Sequence, residues 1–98
     1  MEVEITWKNA PHKVSMKPLS WGEYKIIKRN SIVVKMVDSG SYQQFRDIDK
    51  YAMLITLHSI GTAPFDKTEA NLEQLSFEDG QALEKAAFQV NPNVPNFG

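Results

Sequence analysis

Hydrophobic and polar residues alternate in two short runs near the start of the chain. Val3, Ile5 and Trp7 alternate with polar residues in the first run, and Val14 and Met16 do so in the second. A period of two places alternate side chains on opposite faces of an extended chain, so each run predicts a β-strand with one apolar face.

Residues 8–11, Lys-Asn-Ala-Pro, separate the two runs and are typical of a four-residue hairpin loop. With that loop, Trp7 lies opposite His12 and Ile5 opposite Val14. The same register gives the pairs Val3–Met16, Glu2–Lys17 and Thr6–Lys13. A two-stranded hairpin is marginally stable alone, so its apolar face should be covered by a helix.

The segment that follows the hairpin predicts a rigid entry into a helix. Ser20 and Glu23 have the spacing of a capping box, in which each side chain accepts a hydrogen bond from the other residue's backbone N–H. Leu19 and Tyr24 occupy the two positions of a hydrophobic staple. Pro18 cannot donate to a strand ladder, so the strand should end there.

The predicted first helix begins at Trp21 and continues at least to Arg29. Tyr24 and Ile27 lie on its apolar stripe. A second stripe carries Lys25, Lys28 and Arg29. This basic stripe is either a solvated face or a contact for an acidic partner.

Residues 30–46 give the least decisive pattern. Residues 32–34, Ile-Val-Val, favour a strand, and Asp38-Ser39-Gly40-Ser41 favours a turn. We expect irregular or strand-like structure at 31–37 and then a loop. The start of the next helix stays open between Tyr42 and Ile48, since residues 41–44 also match a capping box.

Helical periodicity dominates the rest of the chain. Residues 48–60 have a broad apolar arc that includes Ile48 and Tyr51, which predicts the central helix. A short helix capped by Thr68 and a last helix capped by Ser76, with Phe77 on its apolar stripe, should follow; Asn91-Pro92 ends the latter. We therefore predict an α+β fold, a two-stranded N-terminal hairpin packed on about three helices, as one domain over 1–91. Residues 92–98 should form a flexible tail.

Composition and charge narrow the class of protein. The 98 residues include no cysteine and carry a net charge of −1. Residues 1–37 hold seven basic and three acidic residues (+4), whereas residues 38–98 hold four basic and nine acidic ones (−5). We favour charge complementarity within one fold, and the alternative is an acidic partner or an acidic face of another copy. Neither a signal peptide nor a membrane span is apparent, so we expect a cytoplasmic protein.

No arrangement of residues points to catalysis. His58 and Asp49 project to roughly opposite sides of the predicted central helix, so they cannot share a metal. The acidic pair Glu78-Asp79 is explained by the dipole of the last helix. No nucleophile elbow or phosphate-binding loop is present. We expect no enzyme activity, cofactor or metal.

The two tryptophans have two interpretations each. Trp7 ends the first strand and Trp21 opens the first helix. We favour packing of both in the seam between hairpin and helix. The alternative is that one is an exposed anchor for a partner, because tryptophan is enriched in interface hot spots.

The order of these segments resembles the phage tail assembly chaperone family. The resemblance lies in residues 18–24 (Pro-Leu-Ser-Trp-Gly-Glu-Tyr), residues 59–64 (Ser-Ile-Gly-Thr-Ala-Pro) and residues 71–79 (Asn-Leu-Glu-Gln-Leu-Ser-Phe-Glu-Asp), with Leu83 downstream. It implies a small non-enzymatic viral protein of the host cytoplasm. Such proteins coat the helix-rich tape measure protein until tail tube subunits assemble around it, and a longer frameshifted form is common. The implied partners are the tape measure protein, the tail tube protein and other copies of the chain.

Candidate contacts with a partner are the aromatic and basic residues of the first helix and the variable middle. They are Trp21, Tyr24, Lys25, Ile27, Lys28, Arg29, Tyr42, Phe45 and Phe65. One alternative function is a structural component of the virion, such as a tail-completion or connector subunit. A less favoured alternative is a nucleic-acid-binding regulator that uses Lys25, Lys28, Arg29 and Lys35.

Overall fold

The computed structural model describes residues 1–37 and 40–97. Within them the chain forms two antiparallel two-stranded sheets and four helices, which confirms the predicted α+β fold and the N-terminal hairpin. The strands are β1 (Glu2–Trp7), β2 (Ala10–Ser15), β3 (Ile32–Met36) and β4 (Tyr42–Arg46). The helices are α1 (Trp21–Asn30), α2 (Ile48–His58), α3 (Glu69–Glu73) and α4 (Phe77–Val90).

The predicted register of the first hairpin was wrong by two residues. Ile5 lies opposite His12 rather than Val14. The loop contains only Lys8 and Asn9, with φ of 51° and 63°, because a two-residue turn with both residues left-handed matches the twist of the strands. A shift of two keeps every side chain on its predicted face, so Ile5 and Val14 are both buried. The remaining pairs are Glu2–Ser15, Val3–Val14, Glu4–Lys13, Thr6–Pro11 and Trp7–Ala10.

The predicted entry into α1 is confirmed. The Glu23 N–H donates to Ser20 Oγ at 3.1 Å, and the Ser20 N–H donates to Glu23 Oε1 at 3.2 Å. Leu19 and Tyr24 are both half-buried against the core. The chain therefore turns from hairpin to helix through a fixed corner.

Residues 32–46 form a second hairpin, which the sequence predicted only in part. β3 matches the strand-like segment, but β4 occupies residues where we expected a loop. The Asp47 carboxylate accepts from the Lys50 N–H at 3.0 Å, so α2 begins at Ile48, the later end of the predicted range. Gly40 has a φ of 79° in the turn; Asp38 and Ser39 of the predicted turn lie outside the described residues.

The core lies between the first hairpin and the helices. From α2 it takes Tyr51, Leu54 and Ile55, which confirms that helix as the central one. Thr68 and Ser76 cap α3 and α4 as predicted. The other buried apolar residues are Ile5, Val14, Met16, Ile27, Ile60, Leu72, Leu83, Ala86 and Ala87.

Residues 92–97 lie against the body of the protein. The Tyr51 hydroxyl donates to the Pro95 carbonyl oxygen at 2.7 Å, and the Phe97 ring lies 5.1 Å from the Tyr51 ring. Val94 packs against the core. The flexibility of residues 92–98 stays a prediction, and Gly98 lies outside the described residues.

Candidate interaction surface

Helix α1 presents an aromatic and basic face to solvent. Trp21 is 71% exposed, and its ring lies 6.0 Å from the half-buried ring of Tyr24. Lys25 Nζ lies 5.6 Å from the Trp21 ring, and Lys28 Nζ lies 5.8 Å from the Tyr24 ring. Because i and i+3 or i+4 positions share a helix face, each lysine lies over an aromatic ring and leaves its charge in water.

The favoured interpretation of the tryptophans was wrong for Trp21, which does not pack in the seam between hairpin and helix. Trp7 does pack on the core, where its ring lies 4.7 Å from that of Phe65. Phe65 thus lies beside the end of β1, apart from the aromatic pair of α1. Ile27 is fully buried, so its side chain belongs to the core. A capped helix of ten residues must expose part of its circumference, and Trp21 lies on that part.

We call the β3–β4 hairpin the arm. Every residue of β3 is exposed, as are four of the five residues of β4. Val34, Met36 and Tyr42 lie on one face of the arm and are 57%, 68% and 71% exposed. Val33 and Phe45 lie opposite each other on the second face. Contiguous apolar side chains of this kind mark interaction sites on soluble proteins.

The root of the arm is fixed to the body by residues that the sequence did not single out. The Asp47 N–H donates to the Ser31 carbonyl oxygen at 2.7 Å, and an Arg46 guanidinium N–H donates to Ser31 Oγ at 2.8 Å. The Arg46 guanidinium also lies 5.3 Å from the Tyr51 ring and 5.5 Å from the Phe97 ring. The arm therefore has a defined origin beside the C-terminal end of α1.

The arm and the exposed face of α1 meet in a basic depression. Lys25, Lys28, Arg29 and Ile32 line this depression, whose volume is about 410 Å³. We call the exposed face of α1 together with the Val34 face of the arm the basic aromatic surface; of the predicted contacts it holds Trp21, Tyr24, Lys25, Lys28, Arg29 and Tyr42. Ile32, Val34 and Met36 also belong to it, and the β-branched run at 32–34 was the sequence signal for the first two. Phe45 lies on the second face of the arm, beside Asp47 and Ile48 at the start of α2.

Asn91 supports this surface from beneath. Its Oδ1 accepts from the Leu19 N–H at 2.7 Å, and its Nδ2 donates to Ser59 Oγ at 2.9 Å and to the Ala87 carbonyl oxygen at 2.8 Å. Asn91 and Ser59 are both buried. One side chain thus joins the segment just before α1 to the ends of α2 and α4.

Two ionisable groups near α1 have shifted pKa values. Partial burial opposes ionisation of Glu23, but hydrogen bonds from Ser20 and the charges of Lys17 and His58 outweigh it and lower its pKa. The Glu23 Oε2 to His58 Nδ1 distance is 3.6 Å. Burial, together with a hydrogen bond to Tyr24, raises the pKa of Tyr51. Both groups have structural roles, in the capping box and in the core.

The basic aromatic surface offers charged and apolar groups for contact with a partner. Its lysines and Arg29 suit acidic groups, and its rings and aliphatic side chains suit an apolar stripe. Among residues 1–37 and 40–97, no three His, Asp or Glu side chains are grouped so as to hold a metal ion.

None of the helices in the described ranges combines the length and the apolar character required to cross a bilayer. Comparison of the chain with protein-family models, with curated proteins and with solved structures gave no match.

Proposed function

We infer that this chain is a non-enzymatic viral tail assembly chaperone that binds a tape measure protein in the host cytoplasm. The observation that carries the proposal is the basic aromatic surface, which exposes Trp21 and the apolar residues of the arm together. The order of sequence segments that resembles tail assembly chaperones supports the same conclusion. Tail tube protein is the second proposed partner, as the resemblance implies.

The shape of the surface suits a helical partner with an apolar stripe. A partner helix laid along α1 would cover Trp21 and Tyr24 and continue onto the apolar face of the arm. Burial of that surface supplies the affinity, because apolar area removed from water contributes about 25 cal/mol per Å² before the cost of association. Lys25, Lys28 and Arg29 would favour partners with acidic residues beside the stripe.

The first test uses the long helical reading frame expected just downstream of this gene. We expect a fragment of its product to co-purify with the wild-type chain and to lose binding to Trp21→Ala, because an exposed tryptophan anchor contributes about 2 kcal/mol, roughly thirtyfold in affinity. Lys28→Glu should also weaken binding, and should do so most at low salt.

Lys85→Glu is the matched control, since it reverses the charge of an exposed lysine on α4, outside the basic aromatic surface. Circular dichroism of each variant confirms that it folds. Equal recovery of the fragment with wild type, Trp21→Ala and Lys28→Glu would contradict the proposed binding surface.

A structural component of the virion, such as a tail-completion or connector subunit, is the second candidate. The exposed arm favours it, because projecting hairpins of this kind can join neighbouring subunits. Mass spectrometry of purified particles separates the two functions. A chaperone is absent from mature particles, whereas a connector subunit is present in them.

A further inference from the structure

We propose that the arm of one copy docks into an apolar groove of a second copy. This inference goes beyond the proposed function and does not depend on it, because it concerns the chain alone. It rests on three observations: the shape of the groove, the exposure of the arm, and the opposite charges of the two surfaces.

The groove lies between α2, α3 and the first turns of α4. Its volume is about 330 Å³, roughly twice that of a cavity that holds one benzene ring. Leu72 and Leu83 are almost fully buried in its lining, and Phe77 at the start of α4 is 77% exposed. Phe77 was predicted only to lie on the apolar stripe of α4, and the structure leaves its side chain exposed. As the first residue of α4, it extends past the residues that cover the rest of that stripe, which leaves an apolar site without a cover.

The arm is an apolar ligand of suitable size within the same chain. Met36 and Tyr42 lie directly opposite each other, with Val34 on the same face. These are among the most exposed large apolar side chains of the described residues, and two of them would fill the groove. An isolated two-stranded hairpin is marginally stable, so a contact that buries this face stabilises the arm itself.

Charge favours this pairing over contact between two like surfaces. Asp49 and Glu84 line the groove, and Glu73 and Glu78 are exposed near it, offset in part by Lys85. The Val34 face of the arm begins beside the basic stripe of α1, where Ile32 borders Lys25, Lys28 and Arg29, whereas Lys35 lies on the other face. Two arms would place like charges together, as would two grooves, whereas an arm and a groove bring opposite charges together.

The two docking surfaces differ, so each copy offers one arm and one groove. Such a contact is heterologous, and it leads to a ring where the rotation closes and to a filament where it does not. The contact should weaken with added salt, because its charges are exposed.

The test is analytical ultracentrifugation of the full chain and two variants across a wide concentration range. Met36→Asp disables the arm at an exposed position. Gly80→Arg obstructs the groove, because Gly80 is one of its lining residues. The variant should fold, since a Cβ at this position meets no atom within 4 Å and the replacement of a glycine inside a helix favours the helix. The wild type should form species larger than a monomer as concentration rises, and each variant alone should stay monomeric.

Mixing the two variants is the decisive measurement. Gly80→Arg retains an intact arm and Met36→Asp retains an intact groove, so the mixture should form a one-to-one complex of twice the monomer mass that grows no further. A wild type that stays monomeric at every concentration would overturn the proposal, and would leave the groove to a different partner. Association of either variant equal to that of wild type, or a mixture that stays monomeric, would overturn it as well.

Discussion

Asn91 illustrates how a single polar residue can hold this fold together. Its amide joins the Leu19 N–H, Ser59 Oγ and the Ala87 carbonyl oxygen, and the side chain is buried. A buried group that loses its partner costs about 1–3 kcal/mol, since water cannot replace the missing bond. Asn91 thus contributes through three partners that would otherwise be left unsatisfied.

We expect Asn91→Leu to lower the free energy of unfolding by about 2–4 kcal/mol, because the apolar side chain leaves those partners unpaired in the core. Urea denaturation followed by circular dichroism measures the change. Asn93→Ala, at an exposed position two residues later, should change it by less than about 0.5 kcal/mol. A loss at Asn91 no larger than that at Asn93 would contradict this role.

The sequence predicted Asn91 only as the end of a helix. Its partners Ser59 and Leu19 lie 32 and 72 residues away, and no local rule connects such positions. Gly61 shows the same limit. A Cβ at Gly61 would lie 2.7 Å from Ser15 Oγ, so glycine permits the close approach of β2, which no local pattern indicates.

Among the elements, α1 was the most predictable because its start depends on neighbouring residues. Ser20 and Glu23 are three positions apart, and their two hydrogen bonds form as the pattern indicates. The same capping box gives stability a dependence on pH. The lowered pKa of Glu23 means that the unfolded chain binds protons more readily than the folded one at acidic pH.

We therefore expect the stabilisation from Glu23 to be complete above pH 4.5, the ordinary pKa of its carboxyl group, and to disappear as the pH falls through its lower folded pKa. Glu23→Gln keeps an acceptor for the Ser20 N–H but cannot ionise. The difference in unfolding free energy between wild type and this variant should shrink between neutral and acidic pH. A difference independent of pH would contradict the role of the charge.

The two hairpins were less predictable, for different reasons. In the first hairpin, the alternation of apolar and polar residues identified the correct faces of the strands. The length of the loop sets the register, and the sequence did not show whether that loop has two residues or four. In the second, both faces of the arm are exposed, so no alternation of apolar and polar residues marks β4. Gln43 and Gln44, two polar residues at the centre of β4, resemble the sequence of a loop.

The molecule as a whole is more extended than a compact chain of the same length. Its extents are 53 × 26 × 21 Å and its radius of gyration is 15.1 Å, above the roughly 13 Å of a compact chain of this length. Sequence identified the aromatic residues but not which of them are exposed. Trp7 ends a strand and Trp21 opens a helix, and only Trp7 packs against Phe65 while Trp21 stays exposed.

The proposed function requires that the basic aromatic surface binds another polypeptide. Hydrogen exchange measured by mass spectrometry, with and without the downstream helical fragment, is the direct test. Binding should slow exchange of the backbone amides in α1 and the arm, with little change in β1 and β2, which lie outside that surface. Binding that leaves exchange in α1 and the arm unchanged, or that protects β1 and β2 instead, would contradict the proposed function.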